Sequence, residues 1–188
     1  MDPRTQTYVV NSSNVVGIYT LVPRAEYNAA VKTMGRRAGA PQEGAPYAAR
    51  LGVFMNKYGM PCWSPPYGTL SSYDLRTGAL LWRKPFGQVQ KWGFYMPPSW
   101  GSVTLGAPII TQTGLIFIGA SMDAKVRALD LKTGDVLWSH RVDTPAVSIP
   151  STFLYKGRQY VVFVVGGNAI LDPRVGDELI AFALPDKR

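Results

Sequence analysis

Few side chains in this sequence could do acid–base, nucleophilic or metal chemistry. His140 is the sole histidine and Cys62 the sole cysteine. That count excludes an internal disulfide, a cysteine zinc site and an internal histidine metal cluster, and it leaves a Ser-His-Asp triad poorly supported. Cys62, between Pro61 and Trp63, reads as a packed thiol, and His140 as a partly exposed strand residue. Asp74, Asp130 and Asp177 are the tempting general bases. The first two occupy turn positions that account for them, and Asp177 follows Gly176 at the start of a predicted strand. No catalytic residue and no metal ligand is therefore assigned within residues 1–188.

The elements that would position any site are announced by a repeat. Ser72-Tyr73-Asp74-Leu75-Arg76-Thr77-Gly78-Ala79-Leu80-Leu81-Trp82 returns as Ala128-Leu129-Asp130-Leu131-Lys132-Thr133-Gly134-Asp135-Val136-Leu137-Trp138, 56 residues later. The carboxylate of Asp74 or Asp130 can fold back onto backbone N–H groups two residues on, and Gly78 or Gly134 gives the positive φ of a short hairpin loop. Each copy thus joins two antiparallel strands. Trp82 and Trp138 fall at one place on the second strand, where a large flat ring with one N–H can tie neighbouring sheets. A degenerate third copy, Leu179-Ile180-Ala181-Phe182-Ala183-Leu184, stops short of its Thr-Gly turn. Radially repeated four-stranded blades are the architecture this pattern predicts.

With 46% hydrophobic residues and 12% aromatics the chain can build a packed core, while 19 Gly, 15 Pro and only 17% charged residues favour short strands and turns. The net charge of +8 is spread along the chain, with a modest cluster at Lys32, Arg36, Arg37, Arg50 and Lys57. Solvated loop charge is the plain reading, an anionic surface or partner the competing one, and no nucleic-acid surface is predicted because the charge is not concentrated on one element. No apolar run reaches a membrane span, and no signal peptide is visible after Met1.

Strands are expected at 7–10, 15–22, 69–74, 79–84, 107–111, 115–120, 125–130, 135–142, 151–155, 158–165 and 177–184. The polar run Asn11-Ser12-Ser13-Asn14 separates the first two. Residues 25–68, with one or two helical turns within 25–34, and residues 85–103 read as long loop excursions rich in proline and aromatics. Trp63, Trp92 and Trp100 on them would either line an entrance or pack beneath a blade face. About two and a half blades result. Propellers close with roughly four to eight, so the chain must pair its edges with further polypeptide.

Together with the Trp repeats, several further motifs stand in order: Leu21-Val22-Pro23-Arg24, Gly59-Met60-Pro61-Cys62, Thr104-Leu105-Gly106, Gly114-Leu115-Ile116-Phe117-Ile118, Gly157-Arg158-Gln159-Tyr160-Val161-Val162, and the closing Gly176-Asp177 and Ala181-Phe182-Ala183-Leu184-Pro185. In that ordered set, over essentially its whole length, the chain resembles the C-terminal part of the membrane-bound quinoprotein dehydrogenases of the glucose and quinate/shikimate type. The resemblance implies an all-β partial propeller taken from an eight-bladed periplasmic domain behind transmembrane helices. It implies pyrroloquinoline quinone (PQQ) as cofactor beside calcium or magnesium, and ubiquinone as electron acceptor. It carries three positions onto this chain: Asn11, whose amide would donate to the quinone edge, and Leu105 and Gly106, against a face of the flat cofactor. Read locally, Asn11 is an Asx-turn residue and Leu105 a core leucine. Ala107 departs from the family's Leu-Gly-Gly and makes that contact tighter. The catalytic Asp and the cation ligands would lie outside this chain, which alone should be inactive. The alternative reading is a non-catalytic propeller scaffold of the periplasm, and a third is a gene remnant that never folds.

Overall fold

The computed structural model describes residues 1–169, 171 and 174–184; Pro185, the last position of the terminal motif, lies outside them. The chain divides into two compact units, one of residues 1–14 and 65–188 and one of residues 15–64. In chain order the first elements are β1 (Thr7–Ser13), β2 (Gly17–Pro23), α1 (Arg24–Met34), β3 (Tyr47–Val53), β4 (Gly68–Asp74) and β5 (Leu80–Pro85). Two short strands follow, β6 (Gln90–Lys91) and β7 (Phe94–Tyr95), then β8 (Ile109–Ile110), β9 (Leu115–Ile118), β10 (Lys125–Asp130) and β11 (Val136–Arg141). The last three are β12 (Ser151–Tyr155), β13 (Arg158–Gly167) and β14 (Val175–Ala183).

In the larger unit these strands make three antiparallel sheets, ordered β1-β4-β5, β11-β10-β9-β8 and β12-β13-β14, with β6-β7 as a small ribbon. The two repeats are superposable devices. In each, the aspartate N–H and carbonyl close the loop: Asp74 N donates to Ala79 O and Gly78 N to Asp74 O, just as Asp130 N donates to Asp135 O and Gly134 N to Asp130 O. The carboxylates are consumed locally, Asp130 Oδ1 accepting from the N–H groups of Lys132 and Thr133 at 2.7 and 2.9 Å, and Asp74 from the backbone and guanidinium of Arg76. The register then slips once in each second strand, between Tyr73↔Leu80 and Ser72↔Trp82, and between Leu129↔Val136 and Ala128↔Trp138. A bulge of this kind re-aims the next side chain. Here that side chain is the tryptophan.

Trp82 shows what the aim accomplishes. Its Nε1 donates to Leu131 O at 3.0 Å, and its ring lies so close to Gly134 that a Cβ there would sit 2.8 Å from the indole. The outer strand of the first sheet is thereby fastened to the hairpin of the second, and the Lys84–Asp135 ion pair lies alongside at 2.5 Å. Between these sheets Val9, Leu70, Phe86, Ile116, Ile118, Leu129 and Leu131 are buried. A second cluster, Val126, Val142, Val161, Phe163 and Val165 with Phe117 and Phe182 against it, joins the second sheet to the third. Alternation along β9 and β10 explains both clusters: Ile116, Ile118 and Leu129 point one way, Phe117 and Val126 the other. Each such side chain contributes about 1.5–3 kcal/mol by leaving water, so the middle strands carry the fold.

Residues 15–64 form their own small unit. Here β2 pairs with β3 along their whole length, from Gly17↔Val53 to Pro23↔Tyr47, and α1 covers one face through Tyr27 and Ala30 against Val22 and Ala48. Pro23 ends the strand, Glu26 in the first helical turn and Lys32 in the last complement the helix dipole, and Gly35 stops the helix. The stretch read as a loop excursion over 25–68 therefore contains a three-turn helix and a strand. The alanine pair Ala48-Ala49 carries no strand signal by itself; β3 forms because β2 gives it a partner. Asn11, Ser12 and Ser13, read as a break, instead continue β1 opposite Leu70, Thr69 and Gly68. Cys62, read as packed, is exposed. No helix among the described residues is long and apolar enough to cross a membrane.

Two substitutions isolate the tryptophan contact. Gly78 and Gly134 share a positive φ of 73° and 70°, but nothing lies within 4 Å of a Cβ at Gly78. Gly78→Ala should cost about 1 kcal/mol from backbone strain alone. Gly134→Ala should cost about 2–4 kcal/mol, strain plus displacement of the indole, read as the difference in urea midpoint at constant slope. The hairpin also predicts an acid dependence. Side-chain and backbone hydrogen bonds from Arg76 pull the Asp74 carboxyl from 3.8 down to about 2, so its contribution is complete above its unfolded-state value and fades as pH falls towards about 2. Asp74→Asn should flatten stability against pH in that window and leave it unchanged in shape near neutrality.

Candidate functional site

Asn11 and the segment around Leu105 lie almost a hundred residues apart in sequence and meet at the end of β1. Asn11 Nδ2 donates to Thr104 Oγ1 at 3.1 Å and to Gly106 O at 3.2 Å. Two residues on, Ser13 Oγ accepts from Thr104 N at 2.9 Å and donates to Thr104 O at 3.1 Å, so one hydroxyl grips both backbone groups of Thr104. These contacts require that β1 run on through Asn11 and Ser13, because alternation along a strand puts both side chains on one side. Leu105 N donates to Ala120 O, which fixes the segment to the end of β9. Gly106 lies against the Val147 carbonyl, where a Cβ would come within 2.5 Å, so only glycine fits. Leu105 remains half-buried and Gly106 exposed.

The polarity of Asn11 differs from the sequence expectation. Both N–H bonds of its amide are directed at protein acceptors, which leaves the carbonyl oxygen Oδ1 without a partner among the described residues. Asn11 thus offers an acceptor, not a donor. It is also a paired strand residue and not an Asx turn.

What holds residues 102–106 in place is a buried cluster that sequence reading passed over. Asp123 and Arg127, four residues apart, form an ion pair whose side chains are 0% and 9% exposed. Asp123 accepts further from Ser121 Oγ at 2.6 Å and from Gln88 N at 3.1 Å, while Arg127 Nη1 donates to Ser121 Oγ at 3.0 Å and its guanidinium lies over the Phe86 ring. Met122 N reaches Ser102 Oγ, and Thr104 is bridged to Ser121. The loop that delivers Thr104 to Asn11 is therefore tied to the second sheet at Gln88, Ser102 and Thr104. A reading that spread all charge over solvated loops had no signal for this, since Arg127 stands in an ordinary alternating strand.

The remaining candidates lie elsewhere. Trp100 packs edge-on against Tyr67, Trp92 is 63% exposed, and His140 stacks on Trp138 beside Phe182. Asp177 lies on β14, exposed. No cluster of three metal-ligating side chains occurs among the described residues.

The profile of the glucose/ethanol/alcohol dehydrogenase β-propeller domain, the PQQ family, matches residues 1–161. The chain belongs to this family. As a PQQ-family propeller segment it is 41% identical over 153 residues to the "Probable quinate dehydrogenase (quinone)" of Xanthomonas campestris pv. juglandis, covering 78% of this chain and 19% of that protein. It is 33% identical over 201 residues to the quinoprotein glucose dehydrogenase of Escherichia coli K12, covering 99% of this chain and 25% of the relative. Among solved structures a europium-containing methanol dehydrogenase superposes with a TM-score of 0.56 at 25% identity, over 88% of this chain and 23% of that one. The fold is a partial β-propeller. The chain spans about a fifth to a quarter of the length of these relatives.

The buried pair gives a direct test of how the loop is held. Asp123→Ala leaves a buried guanidinium without its counter-charge and should lower unfolding free energy by about 3–5 kcal/mol. The double variant Asp123→Leu/Arg127→Met, which removes both charges, should recover much of that loss in the same urea titration. A single variant no worse than the double one would show that the pair is solvated.

Proposed function

We propose that this chain is the part of a PQQ-dependent dehydrogenase that borders the cofactor, and that the whole protein oxidises a sugar or cyclic alcohol such as glucose or quinate. The observation that carries this reading is the pair of hydrogen bonds that join Asn11 to Thr104 and Gly106, the two residues flanking Leu105. A half-exposed leucine beside an exposed glycine and an amide carbonyl is a patch apolar enough for a flat ring and polar at one edge. The residues fit such a group. When bound, PQQ supplies two-electron oxidation of the alcohol, aided by a calcium or magnesium ion that polarises its carbonyl.

The chain's own residues do three things in this reading. Leu105 excludes water from one side of the ring, Gly106 lets backbone approach without a side chain between, and Asn11, locked by Thr104 and Gly106, sets the orientation of the polar edge. The general base, the cation ligands and the residues that choose the substrate belong to polypeptide outside these 188 residues. So do the remaining blades, and the membrane anchor that would hold the domain on the periplasmic side and pass electrons to ubiquinone.

The isolated chain supplied with PQQ and calcium should give no dye-linked oxidation of glucose, quinate or glycerol. Joined to the upstream three-quarters of the E. coli glucose enzyme it should complete an active protein, in which Asn11→Ala slows turnover about tenfold because the polar edge of the cofactor is no longer held in one orientation. Turnover by the isolated chain would overturn the division of labour. Indifference of the joined protein to Asn11→Ala would favour a scaffold.

A further inference from the structure

Asn11 is held in one amide orientation by two independent constraints. Rotating the amide by half a turn would set Oδ1 about where Nδ2 now lies, 3.2 Å from the Gly106 carbonyl, bringing two acceptors face to face. Gly106 cannot withdraw, because its Cα is lodged against the Val147 and Ser148 backbone, with a Cβ position only 2.5 Å from Val147 O. Thr104 cannot move either, since Ser13 holds both its N–H and its carbonyl and its side chain is buried. The carbonyl of Asn11 is thus the one group of that side chain left for a ligand.

A carbonyl oxygen discriminates between ligand edges by hydrogen-bond polarity. An oxidised quinone presents C=O groups, which are acceptors, so it makes no hydrogen bond with Oδ1 and meets it as like against like. The two-electron-reduced form presents O–H groups in the same places, and an O–H donates to Oδ1. We infer that Asn11 makes this site bind the reduced cofactor more tightly than the oxidised one, and so raises the cofactor's reduction potential. The inference rests on the cofactor reading above but reaches past it: contact between Asn11 and the cofactor edge says nothing about which redox state is favoured. A tenfold preference corresponds to about 30 mV for a two-electron couple.

Equilibrium dialysis of the protein joined to the upstream three-quarters of the E. coli glucose enzyme tests this under anaerobic conditions, with PQQ in one series and PQQ reduced beforehand in the other, at matched pH, calcium and salt. The reduced form should bind about tenfold more tightly, and the ratio should fall to about one in Asn11→Ala. Thr104→Val, which removes one of the two acceptors fixing the amide while keeping Asn11, should narrow the ratio without abolishing it; circular dichroism checks that both variants remain folded. Equal affinity for the two forms in the unaltered chain overturns this inference and leaves the cofactor reading standing. A preference that survives Asn11→Ala also overturns it, since the discrimination would then come from another group. Failure to bind either form overturns both.

Discussion

The indole of Trp82 occupies the space above Gly134 and donates its only N–H to Leu131. Everything else in the larger unit follows from that contact, because a three-stranded sheet and a four-stranded sheet have no covalent reason to lie face to face. Apolar burial draws them together but is indifferent to sliding. The tryptophan is directional. It fixes which hairpin lies against which outer strand, and with that register set, Leu70 and Phe86 meet Ile116, Ile118 and Leu129 in one cluster. The second and third sheets are joined differently: Trp138 stands 5.0 Å edge-on to Phe182 with His140 stacked beside it, an aromatic contact in which no carbonyl among the described residues accepts from the indole.

Fixing the first two sheets also fixes the distance that the loop from Phe86 to Thr104 must span. That loop leaves the first sheet at Pro85 and enters the second at Ile109, and on the way it is tied down by Asp123 through Gln88, by the Ser102 hydroxyl and by the bridge between Thr104 and Ser121. A buried ion pair contributes little net stability against an apolar substitute. Its value here is geometric, since carboxylate, guanidinium and hydroxyls each demand a particular neighbour, and together they allow the loop one path. The path ends with Thr104 against Asn11.

The hairpins were legible because their chemistry is local: an aspartate that caps its own turn, a glycine that must have positive φ, and a tryptophan four residues further on. What was illegible depended on partners distant in sequence. Asn11-Ser12-Ser13 has the composition of a turn and becomes strand because Gly68–Leu70 lies opposite. Residues 47–53 form β3 only because β2, separated from it by a helix and a loop, presents a matching edge. Arg127 looks like surface charge until Asp123, Ser121 and Phe86 close around it. Leu105 and Gly106 are candidates through a family pattern and not through any local signal, and the holding roles of Ser13, in a polar run, and of Thr104, at the head of that same motif, have no local signal either.

The position of the candidate site within its sheet has a consequence for what must adjoin it. By the repeat, β4 matches β10 and β5 matches β11, so β1 matches β9; at the other end β14 matches β10, and among the described residues the first sheet has no counterpart of β8 and the third none of β11. The free edge of β1 is therefore an inner edge, the one carrying Asn11. Beyond Thr7, whose N–H and carbonyl close on Asp2, that edge has no partner strand among the described residues, and its outward-facing N–H and C=O groups demand one. Whatever polypeptide pairs there lies one strand spacing, about 4.8 Å, from the Asn11 backbone. Its side chains on the Asn11 face stand directly beside Asn11. Completing the sheet and completing the site are then one event, because the strand that satisfies the edge of β1 is also the nearest source of the groups that the Asn11 patch lacks.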